Sequence, residues 1–355
     1  MRKISLFLLA ACFAMIVSAC GKAEKSVGAS SKKTLVVAAY GGSYEKEIKK
    51  TIIPQFEKKY NVKVKYITGS SVDTLSKLQA QKANPQIDVA IMDDGPQAQA
   101  RSFGLLAPLD KKVVTNLKDT YDIARLPEDI GVSFGIVATG LAYSEKDFKS
   151  HNIKPVESWN DLANPAFKNK LVLPSITNTY GIHMLVMLAK ANGGDENNIE
   201  PGFKKLNEIS KNTVTFDKTA DVSNYFLQGQ TIISAWGSSR VYTLKNSGFP
   251  IKFVYPKEGA VALMTTANVV KNAPNGQLAQ KFVNYVIGKD VQKEFAKALF
   301  DGPVNKKVKL TGDITNKIVY GKENVNKLVK VNWDVINKKR AEWTERANKE
   351  IEIAK

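Results

Sequence analysis

Between Thr34 and Met92 the chain alternates short apolar runs with amphipathic stretches, and this alternation restricts its fold more than any other feature. Thr34 to Ala39 (TLVVAA) is a continuous apolar run, expected of a strand covered on both faces. Gly41-Gly42-Ser43 follows as a turn. Ile48, Ile52, Phe56 and Tyr60 then recur at helical spacing, with Pro54 expected to kink or split the helix. Val62 to Ile67 alternates apolar residues with lysine, which predicts a strand with one wet face. A second helix is expected near Val72 to Ala83, then a buried strand at Ile87 to Met92 (IDVAIM). Strands separated by helices over such lengths imply an α/β fold with a mostly parallel sheet. The pattern continues with strands expected at Gly135–Tyr143 and Thr231–Ala235. Helices are expected at Tyr180–Ala191 and at Asp290–Leu299, the latter with Asp290 as its N-cap. The tail, Asn324 to Ala354, reads as a charged helix with Leu328, Val335 and Trp343 as its apolar positions.

The first residues give the chain its address. Arg2 and Lys3 precede an uncharged apolar stretch from Ile4 to Val17, and small residues Ser18-Ala19 stand just ahead of Cys20. That is the layout of an export signal, too short to span a bilayer comfortably. Val17-Ser18-Ala19-Cys20 resembles the bacterial lipobox, so residues 1–19 are expected to be a signal peptide and Cys20 a lipidated N-terminus. An uncleaved anchor helix is the alternative. Residues 21–33 (GKAEKSVGASSKK) are small, polar and charged, a tether expected to reach roughly 20 Å.

Composition then excludes several function classes. The chain has 355 residues and a formal net charge of +18. In a cytosolic protein this surplus would suggest nucleic acid, but an exported chain with lysines scattered through every segment argues for a solvated basic surface instead. Cys12 and Cys20 are its only cysteines, and His151 and His183 its only histidines. A His/Cys metal centre, a disulfide and a Cys–His nucleophile are therefore set aside for the mature body. No cofactor and no metal are expected.

Several stretches, in order, carry a family resemblance: LVVAAYGGSYEKE, FEKKYNVKVKY, IDVAIMDD…GLLAPLD, SFGIVATGLAYS, SWNDLANPAFKNKLVLPS, IISAWGSSRVY and FVYPKEGAVALMTTANVVKNAPN. Over roughly 270 residues they resemble the solute-binding proteins of ABC importers, specifically the spermidine/putrescine-binding family. The resemblance implies a type II periplasmic-binding-protein fold, with two α/β lobes and a ligand cleft between them. Residues 34–134 and 263–302 would form one lobe, and residues 135–262 and 303–355 the other. It also implies a small solute, a membrane permease with its ATPase, a monomer, and attachment to the outer face of the membrane. A ligand touching both lobes would favour their closed arrangement.

Ligand residues follow from comparison with that pattern. Polyamine binders place carboxylates in the cleft because desolvated ammonium groups need anionic partners. Here one acidic cluster of the family is replaced by Ser175, Thr177, Asn178 and Thr179. A further Trp-x-acid pair is replaced by Leu263 and Thr265, while the tryptophan wall is kept at Trp236. Gly41-Gly42-Ser43 offers backbone N–H groups to an anion, or else is a plain tight turn. Arg240, four residues after Trp236, has fixed bidentate geometry for a carboxylate, or else forms a surface salt bridge. Tyr40, Asp93 and Asp94 end strands at the edge where ligands bind in open α/β sheets. Of the two adjacent aspartates at most one should face ligand. His183 is expected to be packed. The site residues expected from sequence are therefore Tyr40, Gly42, Ser43, Asp93, Asp94, Thr177, Asn178, Thr179, Trp236, Arg240 and Thr265. The expected ligand bears a carboxylate or other anion and can also carry an amine, with a polyamine as the alternative.

Enzyme readings find little support. Ser43-x-x-Lys46 matches a nucleophile motif, but its S-D-N and K-T-G companions are absent, as are a G-x-S-x-G elbow, a P-loop and H-E-x-x-H. A ferric-ion binder would want paired tyrosines, and no Tyr-Tyr pair occurs.

Overall fold

The computed structural model describes residues 32–352, with the side chain of Ser43 left out. The signal, Cys20 and residues 21–31 of the tether lie outside the described residues. Strand β1 (Thr34–Ala39) forms as expected and leads into a short helix α1 (Gly42–Glu47). A wide turn of helix, Ile48–Ile52, joins it to α2 (Ile53–Tyr60). Pro54 falls in the first turn of α2, just past the wide turn, so the helical run is split ahead of it as expected. β2 (Lys63–Thr68), α3 (Ser71–Ala80), β3 (Val89–Asp93) and α4 (Asp94–Ser102) complete the first run.

After the two-residue β4 (Leu106–Ala107) comes β5 (Val132–Ser144), buried along its whole length. The next elements are α5 (Glu145–Ser150), β6 (Leu171–Pro174), α6 (Thr179–Ala191), α7 (Glu200–Ser210), β7 (Thr213–Asp217) and α8 (Ser223–Leu227). β8 (Ile233–Gly237), α9 (Ser238–Asn246), β9 (Ile251–Val254) and β10 (Val261–Val270) follow. The remaining helices are α10 (Gly276–Val286), α11 (Lys289–Leu299), α12 (Ile314–Lys317), α13 (Lys322–Asn326) and α14 (Trp333–Ala347). Gly288, not Asp290, is the N-cap of α11, and Asp290 lies in its first turn, where a carboxylate still favours the helix dipole. The expected tail helix is broken, because Lys327 to Asn332 run non-helical between α13 and α14.

The strand order is β2-β1-β3-β10-β5-β8-β6-β7, with β4 against β10 and β9 against β5. Parallel pairing is confined to the two flanks, β2-β1-β3 and β8-β6-β7. In the middle, β10 and β5 run antiparallel to each other and to their neighbours, so the sheet is mixed. These long strands join two parallel halves, an antiparallel pairing that the alternation of strand and helix did not signal, although β5 itself was expected at Gly135–Tyr143. Two large buried clusters fill the molecule, and the first extends into both halves, reaching Phe226 and Trp236. Phe56, Phe134, Phe282 and Phe295 bury around β1, β3 and β10, while Trp159, Phe167, Leu185, Phe203 and Trp343 bury around β6.

Helix α6 is buried almost end to end, as its apolar-all-round sequence requires, and its N-terminus opens between the halves. Helix α14 bridges them. Trp333 packs against Gly95, where an added Cβ would lie 2.7 Å from the indole, and Asn337 Nδ2 donates to the Gly95 carbonyl at 3.1 Å. At its other end Arg346 forks onto Glu200 of α7 at 2.6 and 2.9 Å. The turn beyond it sends Glu352 to accept from Ser175 Oγ at 2.8 Å and Ile176 N at 3.1 Å.

Candidate ligand cleft

A cleft of about 540 Å³ opens where the two halves meet, over the carboxyl ends of the flanking strands. Period-two alternation along β10 divides its side chains between two spaces. Leu263 and Thr265 line this front cleft, and Ala262 and Met264 line a second cavity of about 500 Å³ behind it. The same alternation parts the adjacent aspartates: Asp93 lines the front cleft and Asp94 the rear cavity.

Asp93 is held tightly. Tyr40 Oη donates to its Oδ1 at 2.5 Å, and Thr179 Oγ1 donates to its Oδ2 at 2.9 Å. Its own backbone N–H donates to Ser71 Oγ at 3.0 Å. Burial raises its pKa above the usual carboxylate value, partly offset by these hydrogen bonds and by Arg240. The Thr179 bond joins β3 of one half to α6 of the other. Thr177, Asn178 and Thr179 all line the cleft at the mouth of α6, where Asn178 is the N-cap, accepting from Gly181 N at 3.1 Å.

Arg240, in the first turn of α9, also lines the cleft, with 37% of its side chain exposed and Asp221 3.9 Å away. The Tyr180 phenol and Asp301 lie close enough to stabilise its charge. Tyr40 and Gly41 line the cleft. Gly42 does not: it is exposed at φ +69°, and the six-residue α1 behind it has little dipole to offer an anion.

Trp236 is the main correction. It is 1% exposed and stacks on Phe226 at 6.1 Å, away from the cleft lining. The residue lies within β8, paired with Gly140 of β5, and the cleft begins only past Gly237, with Ser239 and Arg240. Asp94 is the second correction, since it belongs to the rear cavity. Burial pushes its pKa up to about 7, and the Trp333 indole lowers it without reaching hydrogen-bond distance. His183 is fully buried beside Thr139, at 2.9 Å, and burial pushes its pKa down to about 3, so the ring is neutral.

Sequence reasoning missed several cleft residues, among them Asp301, Tyr180, Arg340, Asp73 and Lys218. Asp301, 5% exposed, is pushed up to about 7 by burial against the opposing effects of Arg240 and Ser239. Its signal was an acid two residues ahead of Pro303, beside an expected crossing. Tyr180 and Arg340 also line the cleft. Among the described residues, no group of three or more His, Cys, Asp or Glu side chains could hold a metal ion.

A sequence model of the bacterial extracellular solute-binding proteins matches residues 51–319, about three quarters of the chain. The chain belongs to that family. Among curated relatives, the spermidine/putrescine-binding periplasmic protein of Escherichia coli is 26% identical over 257 residues, covering 70% of this chain and 72% of its own. A Haemophilus influenzae counterpart is 24% identical over 307 residues, 84% of each chain. The crystal structure of an ABC transporter protein from Clostridium perfringens is 28% identical, with a TM-score of 0.75 over 89% of this chain and 99% of that one. A periplasmic binding protein from Actinobacillus pleuropneumoniae, at 20% identity and a TM-score of 0.74, shares the fold over 91% of this chain and 99% of its own. The solute-binding protein has the two-lobed type II architecture, is the exported substrate-binding component of an ABC transporter, and shares family and fold with transport proteins, not enzymes.

Proposed function

We propose that the cleft captures a small zwitterionic organic solute, carrying both an ammonium and a carboxylate or similar anion, and delivers it unaltered to the permease. The carrying observation is that Asp93 and Asp301 share one cleft with an arginine side chain, Arg240. Two acids suit an ammonium, and a guanidinium suits an anion. With 34–134 and 263–302 as one lobe and 135–262 and 303–355 as the other, a ligand spanning Asp93 and α6 would touch both and shift the equilibrium toward closure. A polyamine is the second reading, favoured by Asp301, an acid in the cleft that partly makes up for those replaced elsewhere. Titration of the protein with 4-aminobutyrate and with putrescine, molecules of similar length that differ at one end, separates the two. Micromolar binding of the amino acid with much weaker diamine binding is expected, and the reverse order would sink the zwitterion.

The same reading makes the protein a monomer, lipid-anchored through Cys20 on the outer face of the membrane. Cys20→Ser should release it from the membrane fraction. Retention there would argue for an uncleaved anchor.

A further inference from the structure

Helix α14 buries Trp333, Ile336, Trp343 and Ala347, a stripe spaced three, seven and four residues apart. Arg340 falls on that same stripe, four residues after Ile336 and three before Trp343, where an apolar side chain would ordinarily stand. Instead of packing, it reaches the front cleft at the mouth of α6. Its Nη2 donates to the Thr177 carbonyl at 2.9 Å, and its Nη1 is buried with no hydrogen-bond partner among the described residues. A buried guanidinium nitrogen left idle is costly unless something else fills it. Arg240 is differently placed: Asp221, Tyr180 and Asp301 already surround it, whereas the one acid acting on Arg340 is Asp93, whose oxygens are already taken by Tyr40 and Thr179.

We propose that the anionic end of the ligand is received by Arg340, at the N-terminus of α6, and not by Arg240. The assignment rests on the zwitterion reading above. Arg340 Nη1 supplies a charged donor fixed in place by the Thr177 bond. The thirteen-residue helix α6 adds the positive end of its dipole at the same spot. The ammonium end then lies toward Asp93 and Asp301, and Arg240 serves to balance the acids around it.

The test is calorimetric titration of the full chain, and of its Arg340→Gln, Arg340→Lys and Arg240→Gln variants, with 4-aminobutyrate, 2-aminoethylphosphonate and putrescine. Arg340→Gln should weaken the anion-bearing probes by about tenfold or more, since a charged donor is lost from a desolvated site. It should leave putrescine unchanged or tighter. Arg340→Lys should restore only part of the loss, and Arg240→Gln should cost less than Arg340→Gln. Equal weakening of all three probes would mean a merely structural role and overturn the assignment. So would anion binding indifferent to Arg340→Gln. If neither anion-bearing probe binds the unaltered chain, or putrescine alone does, the zwitterion reading itself falls and takes the assignment with it.

Discussion

The front cleft and the rear cavity are close in size and share the same strands, yet they use charge in opposite ways. In front, Asp93 has both carboxylate oxygens engaged, by Tyr40 and Thr179, and cations stand nearby. Behind, Asp94 Oδ1, Trp333 Nε1 and Arg101 Nε are buried without partners, and Arg101 spends its outer nitrogens on Glu128 and Asp334 at the rim. One face is organised to keep a carboxylate ready for a cation. The other leaves its acid without a full set of partners, a condition met most cheaply by a proton. A shift of a single residue along the chain separates the two environments.

The widest gap between the two faces should appear in neighbouring substitutions. Asp93→Asn is expected to weaken an ammonium-bearing ligand by about ten- to a hundredfold, the loss of one charged hydrogen bond. Asp94→Asn should leave the dissociation constant within about threefold, because it touches only the rear cavity. Titration of both variants with the better-binding probe checks the contrast, and equal losses would erase it.

Acidity sharpens the comparison on a smaller scale. Asp301 and Asp94 are both raised by burial to about 7. A carboxyl raised in the fold contributes stability that is complete below its unfolded value near 4 and is lost as pH climbs through about 7. The melting temperature should therefore fall over that window, and Asp94→Asn should flatten part of the fall. Only the front acid meets ligand. An ammonium arriving beside Asp301 favours its ionised form, so binding below about pH 7 should expel a proton, with affinity rising by up to about tenfold per pH unit and levelling above 7. Calorimetry in buffers of different ionisation enthalpy measures that proton. Asp301→Asn should abolish its release, whereas Asp94→Asn should not.

The strands and helices of the β2-β1-β3 flank were readable from periodicity, since short buried runs and amphipathic stretches obey local rules. The four- and five-residue strands β6 and β7 of the other flank were too short to stand out. The antiparallel pairing of the centre was not readable either, because which strand β10 pairs with is decided by contacts far along the chain. Asp93 was legible for a local reason: it ends a buried strand at the sheet edge where side chains meet solvent. Trp236 deceived because its one-letter neighbourhood, WGSSR, does not reveal that the strand continues through Gly237. Arg340 looked like one more cation on a charged tail. Its meaning emerges only when Trp333, Ile336, Trp343 and Ala347 are recognised as the buried side of the same helix, with a lone guanidinium among them.

Helix α14 is fastened unequally. Toward its end, the Arg346 fork onto Glu200, with Glu352 just beyond accepting from Ser175 and Ile176, secures it to the β6 side. Toward its start, a side-chain amide bond to Gly95, an ion pair between Arg101 and Asp334, and the close packing of Trp333 on Gly95 join it to α4. Trp333 sits on a bare glycine backbone, where a Cβ at residue 95 would come within 2.7 Å of the indole, so Gly95→Ala should push the start of the rod off its seat.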